Sequence, residues 1–205
     1  MDLGDVAERS VGGEDSAGER WAEHLSHRDT NRTVAIAPHG GQLEPFTDVQ
    51  PFHLSTALSD CSAWTFCGYT EEGSARDIYY TTSTAVTPAD YELLPALPHG
   101  EFDLAVAFHG YAPDRNHPDI YVGGTLPADE RVAVAAAIER ESGLDAEGAH
   151  PGDGLRDEYG GIAPDNILNR LSETTIQLEQ TLAARESHAA VCKGLLEAVR
   201  AIGDE

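Results

Sequence analysis

Short apolar runs, each stopped by turn residues, set the rhythm of this chain. Residues 33–37, Thr-Val-Ala-Ile-Ala, are apolar after the first position and run up to Pro38-His39-Gly40-Gly41, which predicts a buried strand. Residues 64–67, 77–83, 102–108, 119–122 and 173–179 read as further strands, with 102–108 the strongest and ending at His109-Gly110. Helical spacing lies between and after them. Residues 55–60 form a short helical stretch, 87–94 open on Thr87 as N-cap with Pro88 at the first helical position, and 164–171 are a short helix. The clearest helix is 127–140, with acids in its first turn and Gly143 beyond its end. Residues 188–202 place Val191, Leu195, Leu196 and Val199 at helical spacing. Residues 1–32 are polar and acidic, and read as a flexible extension with a short helix around 19–25, where Trp21 and Leu25 share a face. Residues 143–163 are glycine-rich and read as a loop. Strands alternating with helices predict one α/β domain over 33–205: a mixed, mostly parallel sheet flanked by helices.

Composition narrows the function. Apolar residues make up 40% of the 205, enough for a core, so wholesale disorder is excluded. Acids number 36 against 13 bases, a net charge of −23, and Lys193 is the single lysine. Such a surface repels phosphate backbones and anionic head groups, which excludes nucleic acid and membrane surfaces as partners. Self-repulsion also destabilises a compact state, a penalty largely screened at ~1 M salt, where the Debye length is about 3 Å. The acids run along the whole chain, which points to a high-salt cytoplasm; an ordinary acidic protein is the other reading. The N-terminus carries no basic and apolar leader, and no apolar run approaches the ~18 residues of a membrane span. Cys61, Cys67 and Cys192 form no C-x-x-C pair and read as idle thiols of a reducing compartment. A cytoplasmic protein, with a monomer favoured, is the expectation.

The chemistry gathers at strand ends. His39 and His109 each close an apolar strand and are followed by glycine, and ligands of open α/β sheets bind outside the carboxyl ends of strands. Glu44 follows His39 by five residues, so a loop can bring an imidazole and a carboxylate to one metal. Two His and one Glu with water in the fourth position are a catalytic zinc arrangement. Either histidine alone is equally a hydrogen-bonding loop residue; His117 is near enough in sequence to line the same pocket. Glu179 ends an apolar strand, where desolvation raises a carboxylate towards a useful base. Arg170 matches a carboxylate with two parallel hydrogen bonds, or pairs with Glu173 on the surface.

The stretches Ala37-Pro-His-Gly-Gly-Gln-Leu-Glu44, Ala107-Phe-His-Gly110, Tyr121-Val-Gly-Gly124, Asn166-Ile-Leu-Asn-Arg170 and Ile176-Gln-Leu-Glu179 occur in that order. Together they resemble the zinc-dependent poly-γ-glutamate hydrolase family known from phages, over about residues 33–200. The resemblance implies a zinc-carboxypeptidase-like fold, Zn2+ held by His39, Glu44 and His109, and Glu179 as the catalytic carboxylate. It also implies that Arg170, with Asn169, holds a substrate carboxylate or the oxyanion. The implied reaction is hydrolysis of γ-glutamyl amide bonds in an anionic polymer or peptide; a protein of −23 repels such a polyanion, and molar salt with a few contact-range arginines (Arg170, and Arg115 or Arg156) is the reading that reconciles the two. A zinc amidase or carboxypeptidase acting on other small peptides or cell-wall fragments is the alternative, and an inactive metal-binding relative a third. One departure bears on substrate choice: Tyr80 stands where the family commonly has a pocket histidine.

Overall fold

The apolar run beginning at Thr33 lies in the middle of an eight-stranded sheet. The structure is a computed structural model that describes residues 7–15, 18–112, 117–150 and 159–203. Its strands are β1 (Ala7–Glu14), β2 (Arg20–His27), β3 (Thr33–Gly41), β4 (Cys61–Tyr69), β5 (Leu104–Gly110), β6 (Ile120–Gly123), β7 (Ala146–Gly148) and β8 (Thr175–Gln180). They lie in the order β1-β2-β4-β3-β5-β8-β6-β7. The central β4, β3, β5 and β8 run parallel. Antiparallel pairs join β1 to β2, β2 to β4, and β6 to β8, while β7 is parallel to β6. The sheet is mixed and mostly parallel, as the alternation of strands and helices requires.

The helices are α1 (Gln50–Ala57), α2 (Ala75–Tyr79), α3 (Ala128–Ser142), α4 (Ile167–Leu171), α5 (Leu182–Glu186) and α6 (His188–Gly203). On one face of the sheet, Ala37, Phe108 and Leu178 pack with Val134 of α3 and Val191 and Leu195 of α6. On the other, Ile36, Trp64 and Ala107 pack with Val86, Leu93 and Ile167. β3 and β5, covered on both sides, have no solvent face to mark, which is why they read as largely apolar runs, while β8 alternates because Gln177 and Glu179 face the cavity. Among the described residues no helix is long and apolar enough to cross a membrane.

Four expectations are corrected. The N-terminal segment is not a loose extension over its described part. Residues 7–27 form the β1–β2 hairpin, hydrogen-bonded to β4, and the helix expected around 19–25 is strand. Positions four apart share a face on a strand as well as on a helix, so Trp21 and Leu25 could not distinguish the two. The deciding position is Glu23, an acid in an apolar place. It is 1% exposed and accepts hydrogen bonds from Trp64 Nε1 (3.2 Å) and from the backbone N–H groups of Glu92 (2.7 Å) and Leu93 (2.8 Å). Glu23→Ala would orphan three donors; unfolding in urea should show a loss of about 2–4 kcal/mol. An unchanged midpoint would mean that the hairpin is not anchored there.

The strand expected over 77–83 is the short helix α2 followed by a turn. A strand would send Tyr79 and Tyr80 to opposite faces. Instead Tyr79 meets Phe66 edge-on at 6.2 Å and Tyr80 meets His39 at 4.5 Å, both on one side of the sheet. The helix expected over 87–94 is two 3-10 turns, Pro88–Asp90 and Leu94–Ala96. Within the stretch expected as a loop, Ala146–Gly148 form the short edge strand β7 beside β6, and α5 (Leu182–Glu186) has no expected counterpart; the other helices and strands stand within a few residues of their expected places, α3 ending at Gly143 in the left-handed region (φ +70°).

Candidate active site

Three parallel strands bring chemistry to their carboxyl ends: β3 with His39, β5 with His109 and β8 with Glu179. His109 and Glu179 are register partners across β5 and β8 and therefore project from the same face. Alternation alone would send His39 to the opposite face, with Ala35 and Ala37. The register prevents this. Ala37 pairs with Thr65, but Gly40 pairs with Cys67, so β3 holds one more residue than β4 over this stretch. That bulge at Pro38-His39 reverses the alternation and turns the imidazole towards His109. The chain then folds back sharply. Gly41 takes φ +68°, and an added Cβ there would lie 2.8 Å from the Tyr69 ring, so glycine serves both the conformation and the close approach. Glu44 N–H donates to the His39 carbonyl at 2.8 Å, closing the loop that the five-residue spacing suggested.

The result is a tight, buried trio. Glu44 Oε1 lies 3.2 Å from His39 Nδ1, Glu44 Oε2 lies 3.5 Å from His109 Nδ1, and the two Nδ1 atoms are 3.2 Å apart. Tetrahedral zinc with bonds of ~2.1 Å needs ligand atoms about 3.4 Å apart, and these three separations match that geometry. The outer ring nitrogens fix the tautomers. His39 Nε2 donates to the Thr81 carbonyl at 2.8 Å, which leaves Nδ1 as a lone-pair donor, and His109 Nε2 lies 3.4 Å from Ser83 Oγ. A cluster of two imidazole nitrogens and a carboxylate at these separations is stabilised by a shared proton or, with both imidazoles neutral, by a cation at its centre. The trio is also the one group of three or more potential ligand side chains this close among the described residues.

The electrostatics agree. Burial pushes the Glu44 carboxyl up, but its hydrogen bonds and charge interactions with His109 and His39 outweigh this and hold it well below the usual carboxylate range. Burial holds His109 below its ordinary value, against the pull of Glu44, and so favours the neutral ligand form. Gly110 N–H donates to Glu44 Oε2 at 2.8 Å and steadies it.

The trio forms one wall of a cavity of about 840 Å3 that Glu179 also lines. Glu179 is 8% exposed and its Oε1 accepts from Gln177 Nε2 at 3.1 Å. Gln177 is oriented in turn: its Nε2 also donates to the Tyr159 carbonyl (2.9 Å), and its Oε1 accepts from Asn166 Nδ2 (3.3 Å). Neither amide was singled out from the sequence, though both left a signal. Gln177 is two residues before Glu179 on a strand, hence on the same face, and Asn166 is the N-cap of α4.

Two residues expected to touch substrate do not reach the cavity. Arg170 Nη1 donates to the Val86 carbonyl at 3.3 Å. Asn169 Nδ2 donates to the Gly161 and Ala163 carbonyls (2.7 and 2.8 Å), and its Oδ1 accepts from the Thr175 hydroxyl at 2.9 Å. Both brace the wall from behind, because α4 presents them to the backbone beneath the cavity rather than to its opening. His117 stacks on Tyr111 at 6.1 Å and lies outside the lining, while Tyr111 belongs to it. Arg115 and Arg156 fall outside the described residues. The cation that lines the cavity among the described residues is Arg76, beside Tyr80. A second arginine, Arg185, is buried against Gly110 and donates to the Pro45 carbonyl at 3.1 Å. Burial lowers its pKa from the ordinary value and the charges of Glu44 and Glu179 oppose that shift; a guanidinium stays protonated all the same, which leaves a positive charge behind the site.

Comparison with known proteins bears on this arrangement. The family model described as poly-gamma-glutamate hydrolase matches residues 10–191. A bacteriophage poly-gamma-glutamate hydrolase is similar in structure with a TM-score of 0.70 at 23% identity, over 90% of this chain and 91% of that one. Zinc-free YndL is similar with a TM-score of 0.62 at 19% identity, over 98% and 92% of the two chains. A protein of Shewanella denitrificans assigned as a carboxypeptidase A has a TM-score of 0.57 at 16% identity, over 96% and 65%. A search of curated proteins finds no match. The likenesses place the fold among the carboxypeptidase-like α/β structures.

Proposed function

Because this chain belongs to the poly-γ-glutamate hydrolase family, we propose that it hydrolyses γ-glutamyl amide bonds with zinc held by His39, Glu44 and His109. The observation that carries this reading is the convergence of His39 Nδ1, His109 Nδ1 and the Glu44 carboxylate at zinc-ligand spacing, on a cavity wall shared with Glu179. When bound there, zinc supplies Lewis acidity, polarising an amide carbonyl and easing deprotonation of water.

The chain's own residues do the rest. Glu179 accepts the proton of the attacking water as the new carbon–oxygen bond forms at the carbonyl. It returns that proton to the amide nitrogen as the carbon–nitrogen bond breaks, so the amine leaves neutral and Glu179 ends as it began. Gln177 and Asn166 hold the carboxylate in the direction this transfer needs, without taking part in it. Arg185 offsets part of the negative charge of Glu44 and Glu179 from behind Gly110.

The substrate class follows from charge. A γ-glutamyl chain carries one free carboxylate per residue, and a protein of −23 repels it at long range unless salt screens that field. Recognition then falls to contact-range cations in the cavity.

Incubating the zinc-loaded protein with poly-γ-glutamate should shorten the polymer, as read by gel electrophoresis. Chelation should stop the shortening and added zinc restore it. A folded, zinc-loaded protein that leaves the polymer and short γ-glutamyl peptides intact would end the proposal. Cleavage of short peptides alone would favour the small-peptide amidase reading, which the departure at Tyr80 beside His39 keeps open.

A further inference from the structure

We propose that Arg76, held over the Tyr80 ring at the cavity wall, recognises a substrate carboxylate next to the scissile amide. The inference rests on the hydrolase reading and names the residue that selects an acidic substrate. Arg76 and Tyr80 are four apart on and just after α2, a spacing that puts them on one side of a helical turn. The Arg76 guanidinium carbon lies 3.6 Å from the centre of the Tyr80 ring, and that ring is 4.5 Å from the ring of His39. The stack therefore runs from the metal ligand outward: imidazole, phenol, guanidinium.

Stacking spends the face of a guanidinium and leaves its N–H groups in the plane, where they match the two oxygens of a carboxylate. It also restrains a side chain that would otherwise lose rotamer freedom on binding, so an exposed arginine becomes a pre-organised one. Glu44 and Glu179 alone make the described cavity wall negative, and its two imidazoles add nothing while neutral. A divalent ion cancels the two carboxylates, and Arg76 then tips the wall to net positive. The competing cations are committed elsewhere, Arg170 to the Val86 carbonyl and Arg185 to the Pro45 carbonyl. Tyr80, the departure noted in the sequence, gains a role as the platform on which this arginine rests.

The test is calorimetric binding to zinc-loaded protein of two probes, tri-γ-glutamate and the same trimer with its free α-carboxylates converted to amides. Wild type should prefer the acid. Arg76→Gln should weaken acid binding about 10- to 100-fold, the loss of a charge-assisted hydrogen-bond pair, with zinc content and amide binding unchanged. Arg76→Lys should recover only part of the loss, because an ammonium lacks the planar fork. The inference is overturned if wild type binds acid and amide alike or neither. It is also overturned if Arg76→Gln weakens both probes equally or leaves the acid untouched. Acid binding that depends on Arg76 in a protein that cleaves no γ-glutamyl bond would leave this inference standing and defeat the hydrolase reading instead.

Discussion

Glu179→Gln is expected to lower kcat by about 10²- to 10⁴-fold, the range over which a positioned acid–base group acts, while zinc stays bound. The change is nearly isosteric, and its neighbours explain why the effect should fall on chemistry. Glu179 pairs through its backbone with His109 on one side and Tyr121 on the other, contacts that an amide side chain leaves alone. The trio of His39, Glu44 and His109 does not include it, so metal stoichiometry should stay at the wild-type value. What disappears is an acceptor able to take a proton from water and give it up again. The same amide also presents Gln177 with either an oxygen or a nitrogen, so the local hydrogen bond can be kept. Steady-state turnover on poly-γ-glutamate with zinc content measured in parallel decides the matter. Undiminished kcat in the zinc-loaded variant would remove Glu179 from the proton-transfer role.

Gly124→Ala is expected to cause the largest loss of stability, about 4 kcal/mol or more, because two costs coincide. Gly124 has φ +100°, outside the range that L side chains adopt readily, and an added Cβ would stand 2.1 Å from the Thr175 carbonyl oxygen. That oxygen belongs to the first residue of β8 and cannot rotate away as the end of a flexible side chain could. Around it, Thr125 N–H donates to Thr175 Oγ1 at 2.9 Å, and Gly124 N–H donates to the Gly160 carbonyl at 2.8 Å. The methyl would therefore push β8, which carries Glu179 at its far end, and residues 159–163, which line the cavity. Urea unfolding should show a lower midpoint, and activity should fall even where the protein remains folded. A midpoint equal to wild type would mean the backbone here is looser than these distances imply.

The catalytic side of the sheet was readable from local pattern to a useful degree. Apolar runs ending in His39-Gly-Gly, His109-Gly and Glu179 mark strands whose carboxyl ends carry chemistry, and α3 and α6 follow from apolar spacing and a glycine stop. Glu44 follows from its five-residue spacing after His39 together with the family resemblance. Other features were not readable. An apolar run says that a strand is buried on both faces but not which way a residue beyond a bulge will point, so the side taken by His39 depends on its register against β4. Arg170 and Asn169 lie outside the cavity lining for a related reason. Long polar side chains find whichever carbonyl lies nearest in space, and for these two it lies behind the cavity wall.

The amino-acid order alone determined the α/β class and marked His39, Glu44, His109 and Glu179 as strand-end residues of one site, because periodicity, glycine stops and ligand chemistry are local properties. Tertiary structure alone decided that residues 7–27 extend the sheet, that Glu23 serves as a buried anchor, and that Arg76 rather than Arg170 lines the cavity. Those outcomes depend on contacts between segments far apart in the chain, where an acid can be satisfied by distant N–H groups and where the packing of α2 beside His39 decides which arginine faces the cavity.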